Sequence, residues 1–464
     1  MAKKRTTGRK ATTGRRSATT ASAEVVKRTN ETRERRLIRG LEMEAGDVER
    51  ALVMDENRDS IASVVGEEYA EHLRSLAKEV QQTRGWFGPK QKVFVLPGIL
   101  GSTLAVGDDT IWFDPIDIAM GKLKQLSLDG GAANVASNGV FWPTYTELYL
   151  KLKLAGFDAE YFHFDWRKPI ADAGQLLANK IRAAATANQK VGLVAHSMGG
   201  LVSRAAIKSL GNDAFKLIKN VVLQGTPNFG SYAPALVMTS DYSTVQWMEW
   251  LDRKNSKGTL VKDVFATFVG LAEMTPESDK TGGTNFFDIN NYPAQDRAVR
   301  KVVLTKANQL QSRLANGSDK IWMIAGAGVD TVVGLETNTD DNSKFRTIMS
   351  REGDGTVPLS MAILPDANNR FCASSHGNLP MNNLAIQSTV DILRDGDTSR
   401  LSDSPDSFLR SSVQSARKAG AFEDRLRVQS LETRGKIEPP NDEDALPQTS
   451  DGLQVDTVCS DKRG

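Results

Sequence analysis

Cysteine is nearly absent from this chain: 464 residues hold two, Cys372 and Cys459, the second in a polar stretch. Two thiols exclude a disulfide framework and fit a reducing compartment or indifference to redox. Histidine is almost as scarce, at positions 72, 163, 196 and 376. Scattered in this way, the histidines and cysteines form no ligand cluster, so no metal is expected. No G-x-x-x-x-G-K-[ST] run occurs, and no nucleotide or other cofactor is implied. Missing too are a run of about 18 apolar residues that would cross a bilayer and the apolar core of a secretory signal. The cytoplasm is therefore the expected compartment, although an Arg-, Thr- and Ser-rich, acid-poor start resembles a transit peptide without its amphipathic period. An excess of one charge is also lacking: a net +2 does not by itself argue for nucleic acid or membrane.

The distribution of charge says more than its sum. MAKKRTTGRKATTGRR carries seven Lys or Arg and no acid, which leaves the remaining chain near −5. Residues 1–36 read as a disordered basic arm, a solubilising tail in preference to a tether for nucleic acid or anionic lipid. Residues 37–87 read as two amphipathic helices, through Leu37, Ile38, Leu41, Val48 and Leu52, then Ile61, Val64, Val65, Tyr69, Leu73 and Leu76. Residues 395–464 read as a polar, largely disordered tail with one helix near 413–430. Between these ends, over 88–394, strand-like runs (93–98, 158–166, 191–195, 218–225, 320–328) alternate with helix-like ones (141–156, 171–187, 201–211). Such alternation predicts βαβ units with right-handed crossovers and a mostly parallel sheet.

One junction stands out. VGLVAHSMGGLVSRAAIKSL, residues 191–210, passes from buried strand to helix with no spacer, and Ser197 sits at the bend. A nucleophile elbow needs small residues two before and two after its serine, because the tight turn presses both against neighbouring backbone. Ala195 and Gly199 occupy those places. Such a turn lifts the hydroxyl above the sheet edge and aims a helix amino terminus at it.

A serine of ordinary pKa needs a base, and four histidines permit elimination. His72 lies in the amino-terminal helices and His163 in the 158–166 strand, where a packed core role is expected. His196, beside the serine, should point away along the turn. His376, in FCASSHGNLP, follows a strand-like run and opens a loop, the place where α/β enzymes keep catalytic groups. The acid that orients the imidazole should fall between serine and histidine in chain order. Asp354 in REGDGTVP does so, on a turn after the strand-like KFRTIMS. An oxyanion hole needs two backbone N–H donors. Met198 supplies one candidate and Ile99, in LPGILGSTL, the other, a position that sequence fixes to within one residue.

With these residues in place the chain resembles the lecithin:cholesterol acyltransferase family of α/β-hydrolases, through VFVLPGILGSTL, IWFDP, FHFDWR, VGLVAHSMGG, LQGTPNFGS, REGDGTVPLS and SSHGNLP, over about residues 92–392. The resemblance implies the α/β-hydrolase fold, a mostly parallel sheet with helices on both faces and a helical cap, here an insertion at about 232–318. It implies Ser197, Asp354 and His376 as a triad, with Ile99 and Met198 as oxyanion donors. Asp165, Trp166 and Arg167 match its Asp-Trp-Arg block, read here as a buried hydrogen-bonded corner. The cysteine pair that secreted members carry after the PGxxGS block is absent, which leaves an interfacial clip of that type unsupported. In the insertion, Trp247, Met248, Trp250, Leu251, Val264, Phe265, Phe268, Val269 and Leu271 suit either an acyl pocket or ordinary helix core. The expected partner is a lipid or acyl-ester substrate met at a membrane surface or in solution; nucleic acid is not expected, and the sequence leaves the oligomeric state open. Release of the acyl group to water or to an alcohol, a small-ester carboxylesterase, and a non-catalytic binding protein on the same fold all stay open.

Overall fold

The five strand-like runs named above fall among eleven strands in the described residues of a computed structural model. It describes residues 45–406 and 409, apart from 84–89, 108, 187, 241, 253, 294–297, 338–343. The basic arm, Leu37, Ile38, Leu41, the helix expected near 413–430 and Cys459 lie outside the described residues. β1 (Lys92–Leu96) is followed by β2 (Ser102–Val106), β3 (Asp109–Trp112), β4 (Val135–Val140) and β5 (Asp158–Tyr161). Then come β6 (Val191–His196), β7 (Ile218–Gln224), β8 (Ile321–Gly326), β9 (Thr331–Thr337), β10 (Phe345–Ser350) and β11 (Asn368–Cys372). Six of them form one sheet in the order β11-β8-β7-β6-β1-β5. Every pairing in it is parallel. β3-β2-β4 is a small antiparallel sheet and β9-β10 a hairpin.

Direction of travel assigns the helices to faces. The chain leaves β1, passes α4 (Trp142–Leu154) and moves outward to β5. From β5 it returns across β1 to β6 through α5 (Ile170–Ala184), then continues to β7 through α6 (Met198–Leu210). Right-handed crossovers running in opposite directions put α4 on one face and α5 with α6 on the other. Buried on both faces, β6 and β8 have no exposed residue and read as continuous apolar runs rather than alternating ones.

The amino-terminal region is three helices where two were expected: α1 (Ala45–Val53), α2 (Arg58–Val65) and α3 (Glu67–Thr83). A one-turn helix at Asp55–Asn57 separates the first pair, and Gly66, at φ +83°, separates the second. That backbone suits glycine and interrupts an otherwise continuous apolar period. The region docks on α4 through fully buried Glu49, which takes Lys153 Nζ at 2.8 Å, and through Glu147, which accepts from Tyr69 OH at 3.1 Å. At the other end, α12 (Asn383–Asp395) is not the limit of the packed body. Phe371 N–H donates to Ser402 O at 2.9 Å and Leu401 is buried, so ordered chain continues past the boundary read at 394.

Between β7 and β8 lies the insertion, with α7 (Ala233–Met238), α8 (Ser243–Leu251), α9 (Lys257–Asp263), α10 (Val269–Ala272) and α11 (Lys301–Ala307). Met248, Leu251, Val264, Phe265 and Phe268 are buried in it. The side chains of Trp247 and Trp250 lie outside the described set. The apolar stretch 260–274 is broken into short turns rather than forming one helix.

Candidate active site

Ser197 joins β6 to α6 at φ +53°, ψ −125°, a strained backbone for a residue with a side chain. Its N–H donates to Gln224 O at 2.8 Å, so the β6–β7 ladder runs up to the bend. The turn closes only because Gly199 has no Cβ: one there would lie 2.5 Å from Pro97 O and 2.9 Å from the Leu96 Cβ. At Gly98 a Cβ would lie 2.9 Å from that of Ser197. Helix α6 is thereby pressed on the end of β1, with the Ser197 hydroxyl between them.

Three expected side chains meet there. His376 Nε2 lies 2.9 Å from Ser197 Oγ and its Nδ1 lies 2.8 Å from Asp354 Oδ2. Asp354 Oδ1 accepts from the N–H groups of Thr356 at 3.0 Å and Val357 at 2.7 Å. With the carboxylate oxygen accepting from Nδ1–H, the Nε2 lone pair faces the serine O–H. Ser197 and Asp354 are 4% and 2% exposed, and His376 between them is partly buried.

The turn that carries Asp354 follows a strand, as expected. The strand-like 344–350 is β10, outside the main sheet; the β9–β10 hairpin is an excursion after β8. Backbone bonds from Gly328 N–H to Arg351 O (3.0 Å) and Val329 N–H to Gly353 O (3.1 Å) bring the turn back to the sheet edge. A strand pattern does not say which sheet a strand joins. His376 opens a two-turn 3₁₀ helix, His376–Met381, rather than a loop, and its N–H donates to Asp354 O at 2.8 Å.

Of the backbone donors, Met198 is the first residue of α6, whose opening N–H groups have no partner within the helix. Ile99 lies in a turn closed by Gly101 N–H to Gly98 O at 3.1 Å, with Leu100 at φ +61°. The preceding N–H, that of Gly98, donates to Tyr145 OH at 2.9 Å.

The other histidines are accounted for by their partners. His72 Nε2 lies 3.0 Å from Glu147 Oε1, half-exposed. His163 follows the end of β5 rather than lying inside it, and is partly buried 3.0 Å from Ser137 Oγ. The strand stops at Tyr161 because Phe164 N–H and Trp166 Nε1 turn to Ser102, at 3.1 and 3.0 Å. His196 is buried, with Nδ1 3.0 Å from Tyr145 OH and Nε2 3.0 Å from the His376 carbonyl. Burial, then the nearby His376, push its imidazole down to about 3, so the ring is neutral. Neither Tyr145 nor a role for His196 was found from sequence; Tyr145 sits in a helix buried along most of its length and offers no local signal.

A corner and a cap complete the surroundings. Arg167 is buried, paired to Asp165 through Nε and Nη2 at 2.8 and 2.7 Å, with Nη1 donating to Leu126 O at 2.8 Å. The cap touches this corner at Gly270, whose N–H donates to Arg167 O at 3.1 Å. A Cβ on Gly270 would lie 2.5 Å from the Trp166 and Lys168 carbonyls and 2.7 Å from Met198 Cε. Phe268 packs edge-on against Trp166 at 5.5 Å between centroids. Buried Glu273 accepts the Ile170 N–H at 2.6 Å, and burial raises its carboxyl to about 7. Among the described residues no group of three His, Cys, Asp or Glu is placed to hold a metal, and no helix is long and apolar enough to cross a membrane.

Comparison with known proteins adds a family resemblance and a fold. The lecithin:cholesterol acyltransferase profile matches residues 143–288. No curated protein matches the chain. A chain of the crystallised Tle4–Tli4 complex superposes with a TM-score of 0.50 at 13% identity, covering 67% of this chain and 100% of its own. Bacillus licheniformis lipase BlEst2 in its mature form aligns at 16% identity over 66% of this chain and 92% of its own, with a TM-score of 0.34. Phospholipase PlaB of Legionella pneumophila aligns at 14% identity over 75% and 64%, with a TM-score of 0.24. The parallel sheet with its strand-to-helix elbow has the α/β-hydrolase fold, and residues 143–288 are similar to the lecithin:cholesterol acyltransferase family.

Proposed function

We propose that the protein is a serine enzyme that transfers an acyl group out of a lipid ester, through an acyl-enzyme on Ser197. The observation that carries this reading is the unbroken row from Ser197 Oγ through His376 to Asp354, with bonds of 2.9 and 2.8 Å. His376 Nε2 takes the hydroxyl proton as Oγ attacks the ester carbon. The imidazolium that forms is stabilised by Asp354, and the Ile99 and Met198 N–H groups receive the developing oxyanion, at about 3–4 kcal/mol per donor in related sites. His376 then returns the proton to the leaving alcohol. A second alcohol or water, deprotonated by His376 in turn, attacks the acyl-enzyme and frees Ser197.

A lipid acyl chain suits the buried apolar cap side chains Phe265 and Phe268 and the family that the matched segment represents. The test is labelling by a fluorophosphonate, expected for the wild type and absent in Ser197→Ala. It is followed by incubation with phospholipid and with short acyl esters, each with and without a long-chain alcohol. Free fatty acid alone assigns hydrolysis, and a new ester assigns transfer. Turnover of short esters with none of phospholipid would assign a small-ester carboxylesterase instead. Absence of labelling would leave a binding protein on a hydrolase fold.

A further inference from the structure

We infer that Tyr145 and His196 are positioning residues, forming a second hydrogen-bonded row beneath the first that holds the Ile99 turn and the His376 backbone in one frame. The inference rests on the triad reading above and concerns what keeps that triad in register with its oxyanion donors. The row runs from Gly98 N–H to Tyr145 oxygen at 2.9 Å, then to His196 Nδ1 at 3.0 Å. It continues from His196 Nε2 to the His376 carbonyl at 3.0 Å.

Its protons have only one arrangement. A carbonyl accepts and never donates, so His196 Nε2 carries the hydrogen. In a neutral ring Nδ1 is then bare and must accept from the Tyr145 O–H. Tyr145 oxygen in turn accepts from Gly98, because an amide N–H only donates. The depressed basicity of His196 and the raised pKa of Tyr145, both caused first by burial, agree with this arrangement. Each end of the row is a backbone group beside the reacting atoms: Gly98 precedes Ile99, and His376 supplies the base. With its own N–H committed, Gly98 leaves the next amide, that of Ile99, as the candidate oxyanion donor. The turn wraps closely around the hydroxyl, since a Cβ on Gly101 would sit 2.8 Å from Tyr145 oxygen.

Removing one link strands buried polar groups and frees both ends. Tyr145→Phe deletes only the hydroxyl. The expected result on a soluble short-chain ester is a fall in kcat of up to about 100-fold, the scale of a misplacement near 1 Å. KM should stay within about two-fold, and affinity for a boronic acid transition-state analogue should fall by the same factor as kcat/KM. A packing role alone would lower the melting temperature without separating kcat from KM or weakening the analogue. His196→Gln keeps an N–H that reaches the His376 carbonyl, whereas His196→Leu does not, so kcat should rank wild type, then His196→Gln, then His196→Leu. Rates are taken per labelled active site, so a partly unfolded variant still reports. Equal kcat for the Gln and Leu variants, or a Tyr145→Phe enzyme with wild-type kcat and analogue affinity, overturns the frame. Failure of the triad reading is seen separately, as a wild type that no fluorophosphonate labels.

Discussion

The floor beneath Ser197 and the cap above it are built from opposite materials. In the floor, polar side chains end on peptide groups: Asp354 on Thr356 and Val357, His196 on His376, Tyr145 on Gly98. Glycine occurs where an added carbon would strike backbone, as at Gly199. The cap is held by buried rings such as Phe265 and Phe268, with Gly270 and Glu273 as polar ties to the Asp165–Ile170 corner. Backbone-anchored hydrogen bonds fix direction to a few tenths of an ångström, which proton transfer requires; apolar packing fixes volume and leaves room to repack. On the function proposed above, the floor would carry the chemistry, and the cap would select the acyl chain and exclude water.

Breaking the floor at its orienting acid should have the largest effect. Asp354→Asn presents an amide to His376 Nδ1 and favours the wrong tautomer. Loss of kcat on the order of 10⁴-fold is expected, with little change in melting temperature, measured on a short-chain ester beside Ser197→Ala. A drop of less than ten-fold would mean that another group orients the ring.

Next in size, two alanine substitutions set the regions against each other. Gly199→Ala and Gly270→Ala each force a carbon to 2.5 Å from backbone oxygen, an overpacking cost of about 1–3 kcal/mol by chemical denaturation. Their kinetic signatures should differ. In the floor, Gly199→Ala shifts the elbow and lowers kcat on every ester. In the cap, Gly270→Ala moves α10 off Met198 and changes KM and acyl-length preference more than kcat on the shortest esters. Identical signatures would erase the distinction between floor and cap.

Sequence reading reached these regions unequally. The alternation of apolar runs and amphipathic helices was legible because each crossover is local, and the Ser197 bend because its small neighbours are contiguous. Asp354 and His376 were legible as candidates from chain order and the scarcity of histidine; their meeting at 2.8 Å is a tertiary fact. The Tyr145–His196 row was not legible. Its links span 47, 51 and 180 positions, and Tyr145 looks like any other aromatic of a buried helix. The helical breaks in 260–274 were hidden for a different reason. A segment apolar on nearly every side has no period to mark where one turn stops, and contact with the Trp166 corner decides.

The smallest expected effect lies at the tie between cap and corner. Glu273 has a folded-state pKa of about 7, raised by burial from 4.5 despite the Ile170 N–H bond and Arg313, with Asp172 adding to the rise. Between those two values the folded state holds the proton more tightly than the unfolded one, so stability falls as pH rises. From pH 6 to 8 the unfolded carboxyl stays ionised while the folded one must lose its proton in a buried site, a loss of about 1 kcal/mol. Glu273→Gln keeps a carbonyl for Ile170 N–H and carries no titrating group, so its denaturation midpoint should be flatter over this range than the wild type's. If the cap is the region that loosens, the pH-dependent loss will also appear as faster amide exchange in 268–274 and not in 191–200. Equal exchange in both segments would show that floor and cap open as one unit, and the contrast between them would then be one of composition alone.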